Sequence, residues 1–152
     1  ALADAVSPGR LQVVSKDPLV VLDGAHNPSG IASLAAAIND SFNAPKTLGL
    51  VAMLADKDLS GTIAEMAKSF DQVICTQPVS SRGLPAQELA VICEDYGIEV
   101  LSVEPSVTTA YKLANRLAAE EKAALFVTGS LYLIGDVLKY IQDQRLDEDD
   151  EE

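Results

Sequence analysis

The chain has 152 residues, 48% hydrophobic and 22% charged, with 11 Lys and Arg against 23 Asp and Glu for a formal net charge of -12. That length and apolar content suit a single domain with a sizeable core, and no apolar run approaches the roughly 18 residues that a membrane-spanning helix needs. Scattered cations on an acidic chain offer no footprint for DNA or RNA phosphates, so nucleic-acid and membrane partners are both excluded.

Residues 1–9, ending in Ser7-Pro8-Gly9, read as a linker rather than a first element, and the missing initiator Met suggests a piece of a longer protein. Residues 11–14 and 19–22 are β-rich runs separated by Ser15-Lys16-Asp17-Pro18. That link is too short for a crossover helix, so the two pair antiparallel and the first lies at the sheet's edge. Asn27 then stands as a helix N-cap, and Pro28 fits the first helical position, where no backbone donor is needed. Ile31, Leu34, Ala35, Ile38 and Phe42 follow at a helical period and form one apolar face.

Residues 47–53 are the next strand, before a helix carrying Leu59, Ile63, Met66, Ala67 and Phe70 that Asp58 or Ser60 can start. A strand over 72–76 precedes a helix opened by Pro85, striped with Leu89, Ile92, Cys93 and Tyr96, and stopped by Gly97. Residues 98–103 are strand-like, and Ser106 caps a helix bearing Val107, Ala110, Tyr111, Ala114 and Leu117. The run 123–127 is the last buried strand, and Leu131, Ile134, Leu138 and Ile141 mark a final helix.

Strand-to-helix units joined by a few residues require right-handed crossovers. The fold class is therefore α/β: a doubly wound, mostly parallel sheet of about six strands, with one antiparallel edge strand and helices on both faces. The domain occupies residues 10–145, and 146–152, with Asp147, Glu148, Asp149, Asp150, Glu151 and Glu152, reads as an acidic disordered tail.

In a parallel sheet the strand carboxyl ends share one edge, so the loops after them converge. Those loops carry Asp23, His26 and Asn27; Asp56, Lys57 and Asp58; Arg82; and Thr128, Gly129, Ser130 and Tyr132. They offer acceptors for a metal or sugar hydroxyl, cations for phosphate or carboxylate, and hydroxyls for orientation. His26 is the sole histidine. It sits between Ala25 and Asn27 rather than on an apolar stripe, beside a helix start.

Each candidate also has a purely structural reading. Asp23 suits a turn, Asn27 and Ser130 suit helix caps, Asp56-Lys57-Asp58 suits a solvated turn, and Arg82 suits an open surface. Cys75 and Cys93 lack Cys-x-x-Cys spacing and enough partners for zinc, so they read as small core residues, and no metal site is expected. The opening Ala1-Leu2-Ala3-Asp4 has no basic start and no sustained apolar core, which argues against export and for the cytoplasm. A Gly-x-x-x-x-Gly-Lys-[Ser/Thr] phosphate loop, a Gly-x-Gly-x-x-Gly turn and a Gly-x-Ser-x-Gly elbow are all missing from the sequence.

Ser7-Pro8-Gly9-Arg10-Leu11-Gln12-Val13-Val14, Leu22-Asp23-Gly24-Ala25-His26-Asn27-Pro28, Asp56-Lys57-Asp58 and Thr128-Gly129-Ser130-Leu131-Tyr132-Leu133-Ile134-Gly135 follow in order. In this order and spacing they resemble the C-terminal domain of folylpolyglutamate synthase and its bifunctional dihydrofolate synthase relatives. The Pro-Gly-Arg and Asp-x-Ala-His-Asn-Pro pieces are shared more widely among Mur ligases. The resemblance implies an ATP-dependent ligase that adds L-glutamate to the γ-carboxyl of a folate through an acyl phosphate. It also implies that ATP and Mg²⁺ are held mainly by an N-terminal domain of the same protein, and that this domain alone is inactive.

Carried over residue by residue, the resemblance makes Arg10, Asp23, His26 and Asn27 the ATP-binding set, with His26 and Asp23 catalytic. It places Ser130 and Tyr132 in the glutamate-binding region and leaves Lys57 and Arg82 as candidate phosphate or carboxylate contacts. Two alternatives stand beside it. One is a Mur-type ligase adding an amino acid to a nucleotide-linked peptide. The other is a non-enzymatic doubly wound binding module, such as a receiver-like domain phosphorylated on Asp23.

Overall fold

A computed structural model describes residues 9–42, 44–55 and 58–150. Among the described residues lie six strands, β1 (Gln12–Lys16), β2 (Leu19–Leu22), β3 (Thr47–Val51), β4 (Gln72–Cys75), β5 (Glu99–Val103) and β6 (Ala124–Thr128). They alternate with five helices, α1 (Pro28–Ser41), α2 (Leu59–Ala67), α3 (Ala86–Asp95), α4 (Val107–Glu121) and α5 (Leu131–Asp150). The strands form one sheet in the order β1-β2-β6-β3-β4-β5. Only the β1–β2 pair is antiparallel, as the short link between them requires.

Successive side chains of a strand point to opposite faces, and this sheet is buried on both. Val21, Val51, Val73, Cys75 and Phe126 pack on one face with Ile31, Leu34 and Ile38 of α1, Ile63 and Met66 of α2, and Leu89 of α3. Val20, Leu22, Leu50, Ile74, Leu125 and Val127 pack on the other with Ala110 and Ala114 of α4 and Leu133 and Val137 of α5. Each fully buried aliphatic side chain contributes roughly 1.5–3 kcal/mol. Packing on two faces, rather than strand propensity over four or five residues, therefore holds the sheet.

Because β6 lies between β2 and β3, α1 carries the chain from β2 across β6 to β3. The carboxyl ends of the three strands fall side by side, with Leu22 opposite Val127 and Val51 opposite Thr128. Backbone hydrogen bonds continue past the strand ends. Asp23 N–H donates to Val127 O at 2.9 Å, Gly129 N–H to Ala25 O at 2.9 Å and Ala52 N–H to Thr128 O at 3.4 Å. Gly129 makes this possible: its φ is +110°, and a Cβ there would run into the Ala52 carbonyl.

The structure departs from the sequence expectations at element ends. β1 begins at Gln12 rather than Leu11, because Leu11 has φ 47° and cannot belong to a strand. β3 ends at Val51, where the chain turns toward the loop after β4, and Met53 O accepts from Leu84 N–H at 2.8 Å. α2 ends at Ala67, so Phe70 is buried beyond the helix rather than on it. At the C-terminus α5 continues to Asp150, past the boundary expected at 145 and into the acidic segment read as disordered. Residues 142–148 are all exposed. A helix already nucleated in the core gains one hydrogen bond for each residue it adds, which carries it beyond its last packing contact. No helix among the described residues is long and apolar enough to cross a membrane.

Candidate functional site

Asp23 follows the last residue of β2 and is only 8% exposed. A carboxylate so placed must be satisfied by hydrogen bonds. Its Oδ1 accepts from Ala25 N–H at 2.9 Å and its Oδ2 from Leu11 N–H at 3.2 Å. Beside it Gly24 N–H donates to Gly9 O at 2.6 Å, while Gly9 N–H donates to Gln12 Oε1 at 3.0 Å.

The segment Gly9-Arg10-Leu11 is thereby laid against the end of β2 as a turn. Arg10 stands between two left-handed residues, Gly9 at φ 80° and Leu11 at φ 47°. The left-handed region costs a residue such as Leu roughly 1–2 kcal/mol. A hydrogen bond to a carboxylate contributes about 1.5–3 kcal/mol, enough to hold the turn.

The loop from Asp23 then delivers His26 and Asn27 to the start of α1. The His26 ring is half-buried, and its Nδ1 lies 3.0 Å from Gly24 O. Asn27, in extended conformation, caps α1 by accepting from Gly30 N–H at 2.7 Å, and Pro28 occupies the first turn as expected. That first turn holds no acidic residue, so the helix leaves its own positive end unneutralised. Arg10, Asp23, His26 and Asn27 together line a cleft of about 540 Å³, closed on one side by Leu131 at the start of α5. A cleft of that size accommodates a small-molecule ligand, and its charge pattern suits an anion.

The other candidates sit apart from this cleft. Ser130 is buried, and its Oγ accepts from Tyr132 N–H at 3.1 Å and Leu133 N–H at 3.4 Å, capping α5. Tyr132 is 46% exposed on the first turn of α5. Arg82 lies in the loop between β4 and α3, where its backbone O accepts from Ala55 N–H at 2.9 Å. Asp56 and Lys57 lie outside the described residues.

Cys75 and Cys93 are free thiols fully buried in the core, as the sequence suggests. A hydrogen bond with Cys93 and burial push the Cys75 thiol up from its ordinary value. Among the described residues no group of three or more His, Cys, Asp and Glu side chains is arranged to hold a metal ion.

Two participants escaped the sequence reading. Gly24 serves the site through its backbone, and the tip of the Leu131 side chain sits where a Cβ on residue 24 would stand, so a larger residue there would have to push Leu131 aside. A glycine directly after an acid at a strand end was the available signal. Leu11 gave none, because its left-handed backbone is imposed by tertiary hydrogen bonds rather than by its own preference.

The family described as Mur ligase, glutamate ligase domain, matches residues 9–131, the span from the Arg10 turn to the start of α5. The chain belongs to this family. The dihydrofolate synthase/folylpolyglutamate synthase of Mycobacterium tuberculosis is 31% identical to it over 131 residues, covering 86% of this chain and 27% of that protein.

Among solved structures, the Mycobacterium tuberculosis folylpolyglutamate synthase complexed with ADP and AMPPCP superposes with a TM-score of 0.81 at 31% identity, covering 89% of this chain and 32% of that one. The bifunctional folylpolyglutamate synthase/dihydrofolate synthase of Yersinia pestis with Mn, AMPPNP and L-glutamate bound gives 0.75 at 30% identity, covering 91% and 32%. The glutamate ligase domain described here thus spans about a third of the length of these relatives.

Proposed function

We propose that this glutamate ligase domain closes over ATP held by a second, N-terminal domain of a folylpolyglutamate synthase, and that the two together add L-glutamate to the γ-carboxyl of a folate. In this reading the folate carboxylate attacks the γ-phosphorus of ATP, ADP leaves, and an acyl phosphate forms. The amine of L-glutamate then attacks the acyl carbon, and phosphate departs from the tetrahedral intermediate. Both steps concentrate negative charge, so they call for cations and oriented N–H groups where that charge develops.

The observation that carries the reading is the placement of Arg10 and His26 on one cleft at the open end of α1. Arg10 faces the nucleotide phosphates, with His26 and the Asn27-capped helix start at the reacting end. Asp23 has both oxygens engaged by backbone N–H groups, so its share in ATP binding runs through the turn it holds. The glutamate side of the site lies toward Tyr132, next to Leu131 on the cleft wall, with Ser130 fixing the helix that carries them. Lys57 and Arg82 remain candidates for carboxylate or phosphate contact.

In this reading a divalent ion such as Mg²⁺ comes in with the nucleotide on the other domain. Free core thiols fit a reducing compartment, the cytoplasm. The domain alone is inactive, because half of its site belongs elsewhere.

The test uses the full-length enzyme carrying this domain and follows ADP release dependent on folate and L-glutamate. Arg10→Ala and His26→Ala each lower kcat/KM by about 10²- to 10³-fold while barely moving the Tm. Turnover with a nucleotide-linked peptide and none with folate would instead assign the Mur-type reaction. Equal losses of activity and stability would make both residues structural.

A further inference from the structure

His26 is the only histidine of the chain, and the hydrogen bond at its Nδ1 determines what the other ring nitrogen can do. The partner at 3.0 Å is the Gly24 carbonyl oxygen, which has no proton to give. The hydrogen in that contact therefore belongs to Nδ1, and in the neutral ring Nε2 is left with a lone pair and no hydrogen.

Among the described residues Nε2 has no hydrogen bond to the protein, and the ring lines the cleft. The charged side chains sharing that cleft are Arg10 and Asp23. Asp23 spends both oxygens on Leu11 and Ala25 N–H, so backbone rather than a carboxylate orients the ring. On the neighbouring helix Asp58 caps α2, where Gly61 packs against Pro28, and no hydrogen bond joins it to His26.

A neutral imidazole in this state has nothing to offer an ionised phosphate oxygen, which also only accepts. It is matched to an N–H donor. We propose that His26 is the proton acceptor for the incoming amine, taking a proton at Nε2 before that amine attacks the acyl phosphate. The proposal rests on the ligase reading above and assigns His26 a narrower role within it.

In the step, one N–H bond of the ammonium breaks and an Nε2–H bond forms, leaving a neutral amine and an imidazolium. The amine lone pair makes the C–N bond, and the C–O bond to phosphate breaks with its electron pair on the leaving phosphate. The second amine proton departs to that phosphate. The imidazolium now has a donor at Nε2 facing the released anion, and it returns its proton as phosphate leaves. The same ring is thus an acceptor toward the nucleophile and a donor toward the product, with Gly24 O holding it throughout.

Two measurements test this. Long-range proton–nitrogen correlation on the 152-residue chain with ¹⁵N-labelled histidine reads the tautomer directly, because only one imidazole contributes. In the neutral ring the Nδ1–H form is expected, and an Nε2–H form or a mixture overturns the proposal.

The second measurement compares two nucleophiles in the full-length enzyme with ATP and folate. These are L-glutamate and hydroxylamine, an amine already unprotonated at neutral pH. His26→Gln, which cannot take a proton, should lose about 10²- to 10³-fold in glutamate ligation but far less in hydroxamate formation. Equal loss with both nucleophiles would place His26 at the phosphoryl group and reject the base role. A wild-type enzyme that forms neither product would reject the ligase reading itself, and the base role with it, whatever the tautomer.

Discussion

Leu11 and Asp23 are joined across the start of the domain by a hydrogen bond of 3.2 Å from a backbone N–H to a carboxylate oxygen, although twelve residues separate them. The bond keeps Leu11 in a left-handed conformation and so fixes where Arg10 stands. Asp23→Asn would turn an amide N–H₂ toward one of the two backbone donors that the carboxylate now accepts. We expect it to cost about 1–3 kcal/mol in urea unfolding and to speed amide exchange at Leu11 and Ala25. Unchanged exchange at both would show that the carboxylate does not hold the turn.

Gly129→Ala places a methyl group against the Ala52 carbonyl on a backbone with φ +110°. Strain and overpacking together should remove about 3 kcal/mol or more. Thermal unfolding checks this, and a Tm near wild type would mean that the junction of β3 and β6 yields easily.

The two caps at the carboxyl edge should behave alike in stability and differently in activity. Asn27→Ala and Ser130→Ala each lose a side-chain acceptor at a helix start and are expected to cost about 1 kcal/mol. In the full-length enzyme Asn27→Ala should also weaken nucleotide binding, because α1 opens into the cleft, whereas Ser130→Ala should act on KM for glutamate. The pairing is wrong if Ser130→Ala changes KM for ATP alone.

Stability should fall at alkaline pH. Cys75 is raised by its hydrogen bond with Cys93 and by burial, and Tyr111 is raised chiefly by burial. Both groups therefore keep their protons in the folded state at a pH where the unfolded chain releases them. Their contribution is complete below the unfolded values, about 8.5 for Cys and about 10 for Tyr, and is lost as pH rises through that range. Urea midpoints measured from neutral to alkaline pH should decline, with Cys75→Ala flattening the first part of the fall. Native-state thiol labelling should proceed only through unfolding.

The layout of strands and helices was legible because both signals are local. Apolar runs of four or five residues and helical stripes set the elements, and Asn27, Pro28, Asp58, Ser106 and Gly97 mark boundaries through side-chain caps or backbone freedom. Which residues share the cleft was legible for Asp23, His26 and Asn27, since parallel strands end on one edge, whereas Arg10, ahead of the antiparallel edge strand, came only from the family resemblance. Ser130 and Tyr132 were read as site residues on the same ground. The fold turns the first into a buried cap and the second toward solvent.

What could not be read was the web of backbone contacts: Gly9 to Gly24, Leu11 to Asp23, and the Gly24 carbonyl to the His26 ring. Main-chain donors and acceptors are the same in every residue, so no side-chain pattern announces them.

The hydrogen bond between Gly24 and Gly9 means that the polypeptide enters the domain at the rim of the cleft rather than at a remote corner. Anything attached ahead of residue 9 would tug first on the turn that carries Arg10, and through Gly24 on the imidazole.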